Sequence, residues 1–419
     1  MNGADVPPGT ADAAADVAAL GFDPDGLAAI RRHVVERYVD PGLLAGVGVL
    51  VGRHGALAHV DAIGLADVAA GTPMARDTIH RIYSMTKPIT TVGVLTLVEE
   101  GRVALDDPVG DHLPELAGVE VFVGGDHREY TTRPPVRPPT VRDLLTHTGG
   151  LSYGFGEDHP VDDLYRRRRI EAPGGRRDLA ELVSAVGELP LVSDPGTRWR
   201  YSISTDVLGR LCEVVAGQPL DRFLAERVTG PLGMVDTGFS VGDGQVGRLG
   251  ACYGWTPFDP LMLVDPAGAD SEWASPPRLL SGGAGMVSTL DDVHRFASMV
   301  LGGGELDGAR VLTAETVAAM GRNQLADDAD LAAAGAADGG ETDVAGRGFG
   351  LGFSVLLDPA RAGGRGSAGE LTWGGSATTA LWIDPATGLD VIVCAQLLAD
   401  GPHPVREEVR ALVLDALTA

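Results

Sequence analysis

The sequence contains few cysteines, and their spacing excludes two common kinds of stabilisation. Cys212, Cys252 and Cys394 are the only three in 419 residues, and none belongs to a Cys-x-x-Cys pair. An odd number of widely separated cysteines argues against a disulfide framework and against a zinc site. Such a pattern is typical of a reducing compartment. No glycine-rich phosphate-binding loop is found either, so we expect no metal and no organic cofactor.

Basic residues are scarce relative to acidic ones. The chain has 33 Lys plus Arg against 58 Asp plus Glu, which gives a formal net charge of −25. A field of this sign repels phosphate backbones and anionic lipids, so we expect no nucleic-acid partner and no membrane partner. One basic cluster, residues 166–169, consists of four arginines close to Asp162 and Asp163. We interpret it as a solvated helix face, with an anion-binding patch as the alternative.

Long apolar runs are missing as well. The longest apolar stretch near the start, residues 43–52, is too short to span a bilayer. Residues 1–17 have neither the basic start nor the apolar core of a secretory signal, and their composition predicts a disordered tail. We therefore expect a cytoplasmic protein. The oligomeric state is left open.

Lysine is nearly absent from the sequence. Lys87 is the single lysine, and every other basic position is an arginine. Arginine does not lose its proton in a protein, whereas a buried lysine can do so and then act as a base. The lone lysine is therefore either a chance survivor or a residue with a role that arginine cannot fill.

The order of predicted elements indicates one antiparallel sheet with a helical insertion. We predict a hairpin over residues 46–51 and 56–62, and a helix over residues 86–100. Residues 102–139 and 325–348 are expected to be mostly loop. We expect further helices over residues 141–146, 178–187, 205–216 and 290–301, and then strands over 370–373, 379–383 and 389–397 and a closing helix over 404–417. Strands from both ends can pair, which predicts an α+β fold in which helices flank the sheet. We assign residues 1–18 to the tail, 19–90 and 285–419 to an α/β domain, and 91–284 to a mostly helical domain.

Ser84 and Lys87 form a Ser-x-x-Lys motif at the start of the predicted helix. Residues three apart lie on the same helix face, so the hydroxyl and the amine can meet there. The N-terminus of a helix also favours a developing oxyanion. Because a serine hydroxyl is a poor nucleophile without an adjacent base, the pair predicts a nucleophile and its base.

Several segments in a fixed order make the chain resemble the serine β-lactamase and penicillin-binding protein superfamily. Within it, the class C-like enzymes and the family VIII carboxylesterases are the most similar. The resemblance covers the chain from about residue 21 onward, and it includes the Ser-x-x-Lys motif. The other matching segments are Leu-Leu-Thr-His-Thr-Gly-Gly-Leu at 144–151, Pro-Gly-Thr-Arg-Trp-Arg-Tyr-Ser at 195–202, Gly-Ala-Gly-Met-Val-Ser-Thr at 283–289 and Trp-Gly-Gly at 373–375.

The resemblance implies a role for further residues. Tyr201 is expected to be a second catalytic acid or base that moves a proton to the leaving oxygen. An oxyanion hole is expected from the backbone N–H groups of Ser84 and Ser376. Trp373, Gly374 and Gly375 are expected to bind the substrate, with the indole as an apolar wall and the glycines as a close backbone approach. His147 lies within a matched segment, and we interpret it as structural.

Two departures from the β-lactamase pattern favour esters. Ile203 stands where the lactamases have the asparagine of Tyr-x-Asn, and Trp373-Gly374-Gly375 stands where they have Lys-Thr-Gly. Both changes remove polar recognition of a β-lactam, and family VIII esterases carry the same Trp-Gly-Gly. We therefore predict a serine hydrolase that cleaves small carboxylic esters through an acyl-enzyme on Ser84.

Other readings remain open. The same fold could support a transacylase, a DD-peptidase or D-aminopeptidase, or a weak class C-type β-lactamase. A non-catalytic scaffold is a further alternative. Ser152 and Ser240 each stand in a Gly-x-Ser-x-Gly sequence, but neither has the strand before it and the helix after it that an α/β-hydrolase needs. We predict that both serines are unrelated to catalysis.

Overall fold

A computed structural model describes residues 17–155, 159–170, 176–242, 244–336, 344–398 and 403–418. The predicted tail, residues 1–18, lies almost entirely outside these described residues. The α-helices are α1 Pro24–Val34, α2 Thr86–Glu99, α3 Val109–His112, α4 Val141–Leu145, α5 Pro160–Arg168, α6 Leu179–Gly187, α7 Ser204–Ala216, α8 Leu220–Leu224, α9 Leu290–Leu301, α10 Ala314–Met320 and α11 Val405–Asp415.

The strands come mainly from the two ends of the chain. They are β1 Gly46–Arg53, β2 Ala56–Asp67, β3 Thr72–Pro73, β4 His80–Arg81, β5 Val121–Gly125, β6 Tyr130–Arg133, β7 Cys252–Gly254, β8 Met262–Asp265, β9 Val287–Ser288, β10 Glu305–Leu306, β11 Ala309–Arg310, β12 Arg347–Phe349, β13 Ser354–Leu356, β14 Leu371–Gly375, β15 Thr379–Asp384, β16 Leu389–Cys394 and β17 Leu397–Leu398.

One eight-stranded antiparallel sheet organises the molecule, in the order β12-β13-β14-β15-β16-β1-β2-β3. Strand β1 pairs with β16 through Leu50 and Ile392, and so joins the N-terminal hairpin to the C-terminal strands. Every residue of β1 and of β16 is buried, because helices cover both faces of the sheet. The predicted α+β fold with strands from both ends is confirmed.

Side chains of β1 alternate between two hydrophobic cores. Val47, Val49 and Val51 pack with the terminal helices α1 and α11, whereas Leu50 joins the larger core on the other face. Gly48 faces Leu290 of α9, where a Cβ atom would lie 3.1 Å from the Leu290 side chain. Successive residues of a strand point to opposite faces, so this alternation fixes which helices cover which side.

Helix α2 lies at the centre of the larger core. Its residues from Thr86 to Leu97 are all buried, and they include Lys87 as well as apolar side chains. It packs against α7 and α8, and Gly93 leaves room for the side chains of Phe223 and Leu224. The helix that follows the Ser-x-x-Lys motif is therefore held rigidly by its surroundings.

The structure differs from the predicted elements in three places. Residues 102–139, expected to be mostly loop, contain the short helix α3 and the β5–β6 hairpin. The single strand expected over residues 389–397 is divided into β16 and β17, because Gln396 has a positive φ of +53° that ends the extended backbone. Residues 325–348, predicted to be one loop, carry β12 at their end, and residues 337–343 lie outside the described part. No helix among the described residues is long and apolar enough to cross a membrane.

Candidate active site

Ser84 stands on a strained turn where strand β4 leads into helix α2. Tyr83 has a φ of +42°, an uncommon value for a bulky residue. The turn is held because the N–H of Ile82 donates to Met286 O at 3.0 Å and the N–H of Met85 donates to Ile82 O at 3.0 Å. Strain of this kind persists only where the surroundings enforce it, and it is common at functional sites. The turn presents Ser84, whose side chain is almost fully buried, from the first turn of the helical segment.

Lys87 lies one turn along the same helical segment, and its amine faces the serine. Lys87 Nζ is 3.3 Å from Ser84 Oγ and donates to the carbonyl oxygen of Gly283 at 2.8 Å. The residue is only 2% exposed, although it is the single lysine of the chain. Removing an amine from water disfavours its charged form. The geometry therefore places a desolvated amine within reach of the serine hydroxyl proton.

Tyr201 completes a three-residue cluster from a different part of the chain. Its hydroxyl donates to Ser84 Oγ at 2.7 Å, and its ring centroid is 4.6 Å from Lys87 Nζ. Tyr201 precedes α7 by three residues, and α7 packs against α2, which brings the two segments together. A hydroxyl, an amine and a phenol thus lie within one hydrogen-bonded group, as the sequence predicts.

Strand β14 ends beside the turn that carries Ser84. Gly375, its last residue, lies so close to Ile82 that a Cβ atom would clash with the Ile82 carbonyl oxygen and would stand 2.5 Å from Thr379 Oγ1. Ser376 follows directly and is exposed. Only glycine permits this approach of two backbones. The predicted oxyanion donors, the N–H groups of Ser84 and Ser376, therefore belong to adjoining segments.

Trp373 occupies a different environment from the one predicted. Its side chain is completely buried, so the indole has no exposed face to offer a substrate. The ring packs 5.4 Å from Tyr201 and 5.4 Å from Phe349 between ring centroids. The expectation of an apolar wall for the substrate is corrected, because the indole points into the core and supports Tyr201 from behind.

His147 forms the centre of the same aromatic group. Its ring lies 5.2 Å from the Tyr201 ring, and its Nδ1 is 3.2 Å from Ser202 Oγ. Burial lowers the pKa of His147 well below its usual value, and the charge of Lys87 adds to this effect. A neutral, buried imidazole that contacts several rings fits the structural role expected for this residue.

The two other candidate serines lie outside this cluster. Ser152 is buried, and its Oγ donates to Asp162 at 2.5 Å, beside the ion pair between Asp162 and Arg200. Ser240 is preceded by no strand of the described sheet and is followed by no α-helix, so the surroundings of an α/β-hydrolase nucleophile are missing in this described region. Both serines therefore match a Gly-x-Ser-x-Gly sequence without its structural context.

Two arginines of the cluster at 166–169 pair with acidic neighbours. Residues 166–168 end helix α5, and Arg166 pairs with Asp163 while Arg168 pairs with Glu188. Asp162, expected beside the cluster, instead turns inward to Arg200. These pairs fit a solvated helix face.

Two residues near Lys87 were not singled out from the sequence. Tyr153 places its ring centroid 5.5 Å from Lys87 Nζ, and Asp206 is fully buried in the first turn of α7. Tyr153 directly follows Ser152 beyond the matched segment at 144–151. Asp206 is the easier of the two to recognise from the sequence, because an acidic residue within the buried face of a predicted helix needs a partner.

The site combines a serine and a buried lysine at the start of the central helix α2 with a tyrosine from the segment before α7. This combination, beside an antiparallel sheet, is typical of a serine hydrolase. The Beta-lactamase family model matches residues 31–417. The chain therefore belongs to this family, and the predicted resemblance and fold are confirmed.

Individual relatives agree with this assignment. The chain is 34% identical over 412 residues to Esterase EstB of Burkholderia gladioli, a match that covers 93% of this chain and 95% of the relative. It is 38% identical to Protein Rv1367c of Mycobacterium tuberculosis, over 87% of this chain and 89% of the relative. Among solved structures, EstCE1, described as a hydrolase with promiscuous acyltransferase activity, superposes with a TM-score of 0.76 at 28% identity, over 94% of this chain and 99% of that one.

Proposed function

We propose that the protein is a serine hydrolase that cleaves small carboxylic esters through an acyl-enzyme on Ser84. The observation that carries this proposal is the position of Ser84 Oγ, 2.7 Å from the Tyr201 hydroxyl and 3.3 Å from Lys87 Nζ. The similarity to Esterase EstB over nearly the whole chain supports ester substrates.

In the proposed acylation, uncharged Lys87 accepts the Ser84 proton while Ser84 Oγ attacks the ester carbonyl carbon. The carbonyl oxygen becomes an oxyanion, which the N–H groups of Ser84 and Ser376 stabilise. As the tetrahedral intermediate collapses, the bond to the alcohol oxygen breaks. The proton held by Lys87 passes through Tyr201 to that oxygen, so an alcohol leaves and an acyl-Ser84 ester remains.

Deacylation repeats these steps with water as the nucleophile. Tyr201 takes a proton from water and passes it to Lys87 while the water oxygen attacks the acyl carbonyl carbon. As the tetrahedral intermediate collapses, the bond from that carbon to Ser84 Oγ breaks, and Ser84 Oγ receives the proton. The products are a carboxylic acid and the free enzyme. Gly374 and Gly375 let the backbone of β14 approach the acyl group closely, and the buried Trp373 supports Tyr201.

The test is labelling with a fluorophosphonate, followed by intact mass and peptide mapping, together with hydrolysis of p-nitrophenyl esters. We expect a single adduct on Ser84, and we expect Ser84→Ala to abolish both the adduct and the turnover. Ser152→Ala and Ser240→Ala serve as controls that keep the label and the activity. The proposal is refuted if the Ser84→Ala protein is still labelled and one of the two control variants loses activity, because the nucleophile would then be another residue.

Acyl transfer is the second candidate, because EstCE1 is described as having promiscuous acyltransferase activity. Hydrolysis and transfer share the acyl-enzyme and differ only in whether water or an alcohol attacks it. Adding a primary alcohol during turnover and measuring the ratio of new ester to acid distinguishes them. Acid as the only product at high alcohol concentration would exclude transfer.

We also propose that the protein works in a reducing, cytoplasmic environment. Its three cysteines are all free and buried, in keeping with a compartment that does not form disulfides. Cell fractionation tests this proposal. We expect the protein in the cytoplasmic fraction, and its recovery in a periplasmic or secreted fraction would contradict the proposal.

A further inference from the structure

Asp206 is a buried acid that the proposed reaction does not use. It lies in the first turn of α7, has no exposed surface, and belongs to the helix that packs on α2. Burying a carboxyl group costs free energy unless hydrogen bonds or charges compensate. The residue therefore needs a local explanation.

The two carboxyl oxygens of Asp206 have different surroundings. Oδ1 accepts a hydrogen bond from Ser281 Oγ at 2.5 Å and from the N–H of Gly283 at 3.3 Å. Oδ2 has no hydrogen-bond partner among the described residues. Asp206 thus ties down both ends of the short segment 281–283.

That segment is the one that holds the amine. The carbonyl oxygen of Gly283 accepts from Lys87 Nζ at 2.8 Å, so the Gly283 residue bonds Asp206 on its N–H side and Lys87 on its carbonyl side. A Cβ atom on Gly283 would clash with Asp206 Oδ2 and would lie 3.1 Å from the Tyr153 hydroxyl. Asp206 and Tyr153 therefore flank the Gly283 Cα atom, and any side chain there would displace them.

Asp206 and Lys87 also influence each other through charge. Burial raises the pKa of Asp206, whereas its bond from Ser281 and the charge of Lys87 act in the opposite direction. The titratable groups around Lys87 are Asp206 from α7, Tyr201, and Tyr153 and His147 from the segment after α4. Asp206 is the only carboxyl group among these four.

We propose that Asp206 is a positioning residue for the base: through Ser281 and Gly283 it fixes the carbonyl that holds the Lys87 amine toward Ser84. The inference rests on the proposed role of Lys87. It predicts that an uncharged side chain that keeps the Oδ1 acceptor preserves the geometry, and that an apolar side chain of similar size does not.

The experiment compares Asp206→Asn with Asp206→Leu in the full-length protein, using p-nitrophenyl butyrate at several pH values. For Asp206→Leu we expect kcat to fall about 100-fold with KM within about threefold, because misplacing the base affects chemistry more than binding. For Asp206→Asn we expect kcat within about fivefold of the parent. Leucine has a similar size but cannot accept a hydrogen bond, so activity in Asp206→Asn and its loss in Asp206→Leu would assign the effect to the Oδ1 acceptor.

Matched controls separate positioning from general stability. Asp292 is also a buried acid in the first turn of a helix, α9, so Asp292→Asn and Asp292→Leu report how such changes affect stability and activity away from the site. If Asp206→Leu does not fold, Ser281→Ala replaces it, with Ser298→Ala, another buried serine, as its control. We expect Ser281→Ala to lower kcat about three- to tenfold, and Ser298→Ala to leave it unchanged.

The outcomes are separable from those of the proposed function. Fluorophosphonate labelling and the loss of turnover in Ser84→Ala report on the nucleophile whether or not Asp206 matters. A fully active Asp206→Leu, an Asp206→Asn as impaired as Asp206→Leu, or equal losses in the Asp206 and Asp292 variants would each overturn the positioning role.

Discussion

Replacing Lys87 with arginine is the most informative single change in this protein. Thirty-two other positions show that the chain accommodates arginine readily, yet this one carries lysine. An arginine keeps the positive charge and the hydrogen-bonding capacity, but it does not release a proton near neutral pH. If Lys87 accepts the Ser84 proton, Lys87→Arg removes the base while it preserves the charge.

The expected loss can be estimated from the position of the amine. General base catalysis is worth about 10²- to 10⁴-fold, which corresponds to about 3 to 5 kcal/mol of transition-state stabilisation. Because Lys87 is 2% exposed, a longer guanidinium must also displace its neighbours. Overpacking a core costs about 1 to 3 kcal/mol of folding stability. The loss of activity should therefore exceed what the loss of stability explains.

Two variants and two measurements separate these effects. Hydrolysis of p-nitrophenyl butyrate gives kcat, and urea unfolding gives the free energy of unfolding. Lys87→Met is the control, because methionine is flexible and apolar, fits a buried position, and also lacks the base. We expect both variants to be inactive while Lys87→Met stays folded. An arginine variant within tenfold of the parent, with the same pH profile, would refute a proton-accepting Lys87.

Three further predictions follow from individual contacts. Tyr201→Phe should lower kcat about 10²- to 10⁴-fold and change the free energy of unfolding by less than about 1.5 kcal/mol, since it removes the hydroxyl and keeps the packed ring; a nearly active variant would exclude Tyr201 from proton transfer. Gly375→Ala should lower kcat/KM about 100-fold, because its Cβ clashes with Ile82 and displaces the turn that carries Ser84 by a fraction of an ångström; unchanged kinetics would show that the turn adapts. Burial raises the pKa of Asp292 to about 6. The folded protein therefore binds more protons than the unfolded chain between about pH 4 and 6, and its free energy of unfolding falls by about 3 kcal/mol as pH rises through that window. In urea unfolding, Asp292→Asn should therefore be more stable than the parent at pH 7.5 but not at pH 4. Equal gains in stability at the two pH values would contradict a raised pKa of Asp292.

The parts of the fold that follow from local patterns were predictable. The hairpin of β1 and β2 has a clear turn at His54 and Gly55, both with positive φ, and α9 begins at a threonine cap and ends at a glycine. The helix after Ser84 was predicted nearly to its last residue, because its apolar run stops at Gly101. These signals act over a few residues and need no tertiary contact.

The parts of the fold and of the site that depend on tertiary contacts could not be predicted from the sequence. The sequence indicated that Trp373 is near the substrate, but only the packing of β14 against Tyr201 and Phe349 determines which way the indole points. Asp206 belongs to no recognisable motif, and its proposed positioning role depends on hydrogen bonds from Ser281 and Gly283, which lie some 75 positions further along the chain. The proximity of Ser84 and Lys87 is local, whereas the third member of the cluster is brought in by α7.

The charge distribution favours our prediction that uncharged esters, rather than β-lactams, are the substrates of this site. A β-lactam carries a carboxylate, which needs a cation, but the single lysine of the chain is held at Ser84. Arg81, three residues before the nucleophile, is completely buried and pairs with Asp265, and Arg200 pairs with Asp162. These cations are therefore committed to internal partners, and a net charge of −25 repels anionic substrates at longer range. Discrimination between esters and β-lactams can thus arise from the charges around the site, without any change in Ser84, Lys87 or Tyr201.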